Sequence, residues 1–321
     1  MKYQIAQYSL RGARPTNQDR IGFAERDNAV LLVVADGLGG HRGGEIAAEI
    51  LVQTMLRAFQ TVRQPRIERP SAFLALSILQ AHAAIVARGK AKEEGDGGVP
   101  LEPRTTCVAC LVQDGYAYWA HVGDSRLYHF RGNKLVLRTQ DHTAVEEMRQ
   151  EGLLSEQEML EHPHKGHLLN CLGSSSKPSI SLSGETALQS GDLLLLCSDG
   201  LWEAFAPEEM MSYLKSPALD AKVEEMLFAA VRKMRHACDN ISALCLRWQE
   251  AKTTGAPIQG NAAVKIDEQT LRKEAKHRAP PPKVAPKKPA EISHVADDDP
   301  HKSIKDRIKE IEEYLRKFES K

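Results

Sequence analysis

The sequence predicts an α+β fold in which largely antiparallel β-sheets carry helices on their outer faces. Strand-like runs outnumber the β-α-β alternations that a parallel sheet requires. Asp114-Gly115 and Gly132-Asn133 stand between successive strand-like runs, where tight hairpin turns need residues that tolerate positive φ. Separate segments space their apolar residues three and four apart, as helices lying on a sheet do.

Strands are expected over roughly residues 3 to 10, 20 to 25 and 29 to 35. A helix follows from about Glu45, where Ile46, Ala47, Ile50, Leu51, Met55, Leu56 and Phe59 form one apolar face. A second helix follows Pro70. Its Phe73, Leu74, Leu76, Ile78, Leu79, Ala83, Ile85 and Val86 are apolar on most sides, so deep packing is expected. Gly89 to Pro103 is rich in glycine and charge and reads as a loop. Strands are then expected over Thr105 to Val112, Tyr116 to Val122, Ser125 to Arg131 and Lys134 to Arg138. From Asp141 to about Ser183 the chain is polar and helical, with four histidines and a Gly-Ser-Ser-Ser stretch, and an insert of looser packing is expected. Leu193 to Cys197 is a short apolar strand, Pro207 to Lys215 and Ala221 to Arg235 read as helices, and Ile241 to Trp248 closes the globular part.

Past residue 250 the character changes. Residues 251–302 contain Pro280-Pro-Pro282, a Lys-Pro-rich stretch and Asp297-Asp-Asp299, with almost no large apolar residue, and are expected to be a disordered linker. Within 303–321, Ile304, Ile308, Ile311, Leu315 and Phe318 recur at helical spacing behind a capping Ser303. This amphipathic helix either packs back on its own domain or docks a partner or a second copy.

The composition narrows the function. Of 321 residues, 42% are hydrophobic, enough for one sizeable core, and 43 basic residues balance 43 acidic ones. No overall field draws the chain to nucleic acid or an anionic membrane, so phosphate recognition must be local. The N-terminus lacks the apolar core of a signal peptide, and no apolar run approaches the ~20 residues of a membrane helix, so a soluble, cytoplasmic protein without a membrane span is expected. The six cysteines do not form a disulfide framework. Cys107 and Cys110 make a C-x-x-C, but their surroundings read as a buried strand and no second pair stands at zinc-ribbon spacing.

The chemistry gathers at strand ends. Asp36 closes the apolar run Ala29 to Ala35, Asp199 follows Leu193 to Ser198, Asp124 follows Tyr116 to Val122, and Asp239 opens the last strand. Carboxylates brought together at the edge of a core repel one another unless cations neutralise them, which points to a divalent metal site.

Five motifs occur in order: Arg14-Pro-Thr-Asn-Gln-Asp19, Asp36-Gly-Leu-Gly-Gly-His41, Gly123-Asp-Ser-Arg126, Ser198-Asp-Gly-Leu-Trp-Glu203 and Asp239-Asn-Ile-Ser242. Together they resemble the metal-dependent serine/threonine protein phosphatases, the PPM or protein phosphatase 2C family, in its bacterial form. The resemblance spans about residues 3 to 248. It implies a layered sandwich of two mainly antiparallel β-sheets flanked by helices, a catalytic domain over 1–250 with a flap insert at about 141–183, and a C-terminal tail. It also implies hydrolysis of phosphoserine and phosphothreonine in proteins, with two core Mn2+ or Mg2+ ions, in opposition to a cognate cytoplasmic Ser/Thr kinase. The chemistry is coherent, because a phosphate monoester resists hydrolysis until a strong nucleophile is supplied and charge on its oxygens is offset. Magnesium and manganese take oxygen ligands, and aspartates supply them.

By matching position, Asp36 resembles the bridging ligand, with the Gly37 carbonyl a ligand to one metal and Asp199 and Asp239 ligands of the other. Asp19 matches an acidic position that holds metal-bound water, and Asp124 one that binds a third metal together with Asp199. Arg14 matches the arginine that grips the substrate phosphate. Relatives from eukaryotes carry a histidine directly after Asp-Gly. Here that position is Leu38, which leaves His41 or a metal-bound water as the leaving-group acid. A Gly-Asp turn at Asp124 and a structural role for Asn240 are the plain alternatives to ligation. For His162, His164 and His167 a solvated loop is favoured over zinc. The glycines at 39, 40, 43 and 44 read as a tight entry to the following helix. The reading from another class is a non-catalytic phosphoprotein-binding or scaffolding module. Its signature would be replaced metal aspartates, whereas all are present.

Overall fold

A computed structural model describes residues 1–38, 43–91 and 101–250 of the chain. The linker over 251–302, the helix over 303–321 and His41 lie outside the described residues.

The strands are β1 (Tyr3–Leu10), β2 (Arg20–Arg26), β3 (Ala29–Ala35), β4 (Cys107–Gln113), β5 (Tyr116–Val122), β6 (Arg126–Arg131), β7 (Lys134–Arg138), β8 (Ser181–Leu182), β9 (Thr186–Ala187), β10 (Leu193–Cys197) and β11 (Ile241–Trp248). One sheet runs β1-β11-β10-β6-β7. The other runs β2-β3-β4-β5-β8, with β9 also on β5. Every pairing is antiparallel. The helices are α1 (Gly44–Gln60), α2 (Pro70–Lys90), α3 (Ala144–Gln150), α4 (Glu156–Glu161), α5 (Asp199–Trp202), α6 (Pro207–Leu214) and α7 (Leu219–Met234).

Alternation along the strands builds three apolar layers. In β3, Val30, Leu32 and Val34 meet Leu194, Leu196, Leu244 and Leu246 between the sheets, while Leu31, Val33 and Ala35 face Leu51, Met55 and Ile78 of α1 and α2. Leu195, Ala243 and Cys245 of the other sheet turn outward onto Met210, Val223 and Leu227 of α6 and α7. Strands covered on both faces read as unbroken apolar runs, which is why β3 and β10 show no polar alternation. The same alternation splits the C-x-x-C. Cys107 joins the helix-side layer and Cys110 the layer between the sheets, so the two thiols point to opposite faces of β4.

Three expectations need correction. At 21 residues α2 is long and apolar enough to cross a membrane by length and composition, contrary to the expectation that no run is. It packs against α1, β4 and β5 through Leu74, Ile78, Ala81 and Ile85. Deep packing on most sides does not hold for α2, because Leu76 is 48% exposed. The insert is also firmer than expected. Val145, Met159 and Leu172 are buried, and the fully buried Glu146 receives Arg138 at 3.1 Å and Arg149 at 2.6 Å. Both predicted hairpin turns form, with positive φ at Asp114, Gly115, Gly132 and Asn133.

Register decides what the strand ends share. Leu10 pairs with Ile241 and Cys197 pairs with both Ala243 and Arg126, so the loops carrying Arg14, Asp239, Asp199 and Asp124 leave the first sheet at one end. In the second sheet Ala35 pairs with Arg20, Val34 with Val108 and Cys107 with Val122, which collects Asp36, Asp19 and Gly123 at one end as well. The Gly123–Ser125 turn between β5 and β6 joins these two ends.

Candidate metal centre

The collected strand ends enclose a cavity of about 250 Å3, lined by Arg14, Asp36, Gly37, Asp124, Asp199 and Asp239, with Gly166 and Leu168 from the insert. Asp36 is aimed by its own peptide. Its N–H donates to Thr106 Oγ1 at 3.1 Å, and its carbonyl accepts from the Thr106 N–H and from Thr105 Oγ1, both at 2.8 Å. Gly37 sits so close to the start of α1 that a Cβ would lie 2.4 Å from the Gly44 carbonyl. A glycine is required there by contact with backbone, in addition to any approach to a cation.

Asp19 is 2% exposed. Ser198 Oγ donates to its Oδ2 at 2.7 Å, and its buried Oδ1 has no hydrogen-bond partner. Asp124, 4% exposed, follows Gly123 at φ +99°, and Trp202 Nε1 donates to its carbonyl at 3.0 Å. Asp199 opens the short helix α5, an element the sequence reading missed because four residues carry no periodicity. Asp239 Oδ1 accepts from the Asn240 N–H at 2.7 Å, and Oδ2 receives Arg14 at 2.6 Å. Arg14, expected on the substrate phosphate, therefore rests on a carboxylate expected to hold metal.

The carboxylates are electrically unhappy together. Burial, followed by the charges of Asp19, Asp199, Asp124 and Asp239, holds Asp36 well above the ordinary range. Asp199 is likewise held high by burial, then by Asp124 and Asp239. Burial pushes Asp124 up to about 7, with Asp141 adding to it. Asp19 is pushed up to about 6 by burial, against the hydrogen bond from Ser198. Positive charge entering the cavity would favour the ionised form of the whole set.

Among the described residues no three His, Cys, Asp or Glu side chains close on one point as a finished metal cage. The arrangement still fits hydrated cations. The carboxylates that line the cavity offer oxygen donors; Asp19 is outside that lining, but its charge acts on Asp36 and one of its buried carboxylate oxygens is orphaned. Magnesium keeps several of its waters rather than taking a full set of protein ligands. Zinc, which takes nitrogen and sulfur in a closed tetrahedron, does not fit this donor set.

The structure also assigns residues that the motifs left open. Asn240 spends its whole side chain on backbone: Oδ1 accepts from the Gln18 N–H, and Nδ2 donates to the Arg11 and Thr16 carbonyls. That is the structural alternative for Asn240. His162 Nδ1 accepts from the His164 N–H at 3.2 Å, which occupies that ring nitrogen within its own loop. Leu38 lines the cavity and brings no titratable group to it. Arg126 forks onto Asp141 at 2.6 Å and stacks 3.7 Å over the Trp202 ring, all three buried. The supporting hydroxyls of Thr105, Thr106, Ser125 and Ser198 escaped the sequence reading. Their one signal is position, since Ser125 and Ser198 each adjoin a candidate ligand.

The protein phosphatase 2C family model matches residues 7–237. The serine/threonine phosphatase stp of Listeria welshimeri is 34% identical over 205 residues, covering 63% of this chain and 79% of that one. The solved serine/threonine phosphatase of S. agalactiae superposes with a TM-score of 0.69 at 27% identity, over 77% of this chain and all of the other. The catalytic domain of the serine/threonine protein phosphatase PstP, solved in complex with two manganese ions, superposes at 0.64 with 26% identity, over 77% of this chain and 99% of that one.

Proposed function

The chain belongs to the protein phosphatase 2C family and is a protein serine/threonine phosphatase, and from that premise we propose that it works with two core cations, Mn2+ or Mg2+, at the aspartate cavity, in opposition to a Ser/Thr kinase. Asp36 and the Gly37 carbonyl would hold one ion, with Asp36 shared by the second ion on Asp199 and Asp239. Asp124 with Asp199 would hold a third. When bound, these ions acidify water and offset charge on the phosphoryl oxygens.

The residues of the chain do the rest. Asp19, anchored through Ser198, presents a carboxylate oxygen that can accept from water and orient it. Arg14 lines the cavity with 56% of its side chain exposed, so its planar fork can take the substrate phosphate once Asp239 is otherwise neutralised. Leu38 has no proton to give, so the leaving serine or threonine oxygen is protonated by His41 or by water. Gly166 and Leu168 of the insert line the cavity, and the insert would meet the polypeptide around the phosphoresidue.

The observation that carries this reading is the meeting of Asp36, Asp124, Asp199 and Asp239 around one cavity, with three of these carboxyls displaced upward in pKa. The test is Mn2+-dependent hydrolysis of phosphothreonine and phosphotyrosine peptides, with and without chelator. Activity on phosphothreonine that is lost to chelator, and lost in Asp36→Asn and Asp239→Asn, is expected. Full activity in both variants would sink the proposal.

A further inference from the structure

Thr106 touches both aspartate turns at once. It is fully buried, as is Ser125. Its Oγ1 accepts from the Asp36 N–H at 3.1 Å and shares a hydrogen with Ser125 Oγ at 2.7 Å, one residue beyond Asp124. Its backbone N–H meets the Asp36 carbonyl at 2.8 Å. On the opposite turn, a Cβ added to Gly123 would lie 2.8 Å from Thr106 Cβ and Cγ2, so the turn that carries Asp124 rests on the threonine's methyl side. A hydroxyl has one donor and two acceptor positions. Buried here, the Thr106 hydroxyl divides its two hydrogen bonds between the two ligand-bearing segments.

We infer that Thr106 is a positioning residue for the metal centre, its hydroxyl fixing the Asp36 segment against the Asp124 turn through Ser125. The inference rests on the metal reading proposed above. Carboxylates that repel one another drift apart unless their backbones are held, and a ligand held at the right spacing binds its ion without first being reorganised. Thr106 supplies that restraint without carrying charge. Neighbours that orient ligands in this way typically alter metal affinity by about 10- to 100-fold when removed.

The test is calorimetric titration of Mn2+ into the full chain, each variant first checked as folded by its thermal melt in chelator. Thr106→Val keeps the shape and removes the hydroxyl. It is expected to weaken Mn2+ binding by roughly 10- to 100-fold. Thr106→Ser keeps the hydroxyl and should bind within about twofold of wild type. Ser125→Ala cuts the same link from the other side and should weaken binding in the same direction, and it carries the test should Thr106→Val fail to fold. If wild type binds Mn2+ while Thr106→Val and Ser125→Ala both stay within about twofold of it, the positioning role is overturned and the metal reading survives. A Thr106→Ser variant as weak as Thr106→Val overturns it too, by assigning the effect to the methyl group. Wild type that binds no Mn2+ overturns the metal reading and this inference together.

Discussion

Arg14 and Asp239 form an ion pair at the cavity to which the proposed reading gives metal and phosphate. Their 2.6 Å contact neutralises a carboxylate at the cavity rim, and both side chains keep a third or more of their surface in water. Exposed pairs of this kind add little stability. On the proposed reading, the guanidinium serves recognition more than folding. Arg14→Ala is expected to leave the melting temperature nearly unchanged and to lower kcat/KM on a phosphothreonine peptide by about 10- to 100-fold, the worth of hydrogen bonds to a charged group. Steady-state kinetics beside a thermal melt checks this, and a large fall in stability with no kinetic change would contradict it. Gly37 and Gly12 are constrained differently. A Cβ on Gly12 would lie 2.0 Å from the Asp239 carbonyl oxygen, so the loop that brings Arg14 in depends on an absent side chain.

At the level of elements, two polar ties fasten strands of the first sheet to neighbouring segments, one at the site end and one at the opposite end. Arg126 on β6 forks onto Asp141, the first residue of the insert, with side-chain exposures of 4% and 3%. Taking one partner from such a pair leaves the other charged and unsolvated. Arg126→Met should cost about 3–5 kcal/mol, and replacing Asp141 by Leu as well should recover much of it; equilibrium denaturation of the single and double variants decides the matter. The second tie is Asp192, which receives Arg131 at 2.6 Å, His129 at 3.1 Å and the Gln189 N–H at 2.8 Å. Burial pushes this carboxyl up, but the hydrogen bonds from Arg131 and His129 outweigh it and hold the pKa below the usual value of 3.8. A depressed acid contributes stability that is present above its unfolded pKa and lost as pH falls through its folded one. The stability gap between wild type and Asp192→Asn should therefore be full above about pH 5 and shrink below about pH 4. A gap that stays constant down to pH 2 would count against the tie.

For the whole molecule, the pairing of β11 with both β1 and β10 completes the first sheet before residue 250. Truncation after Glu250 should leave the thermal melt nearly unchanged and the turnover of a small phosphoester within about twofold of the full chain, while weakening activity on the native phosphoprotein. Equal loss on both substrates would place the tail within the catalytic unit. Much of this architecture was legible in the chain. β1, β5, β7, β10 and β11 begin and end where the apolar pattern says, because a strand's burial is written in neighbouring residues. The short helix α5 and the strands β8 and β9 were not legible, being too brief to show a period. The candidate ligands were legible as motifs, since each stands beside a strand end. Their supports were not, because Thr106 and Ser125 are separated by 19 residues and Arg14 and Asp239 by 225. By itself, then, the sequence determined the longer elements, the family and the identity of the aspartates, all of which rest on local pattern. Only the tertiary structure decided that those aspartates share one cavity, that Cys107 and Cys110 face apart, and that uncharged hydroxyls hydrogen-bond the segments carrying the aspartates. The reason is that antiparallel register, set by burial over two whole sheets, fixes which distant strand ends meet.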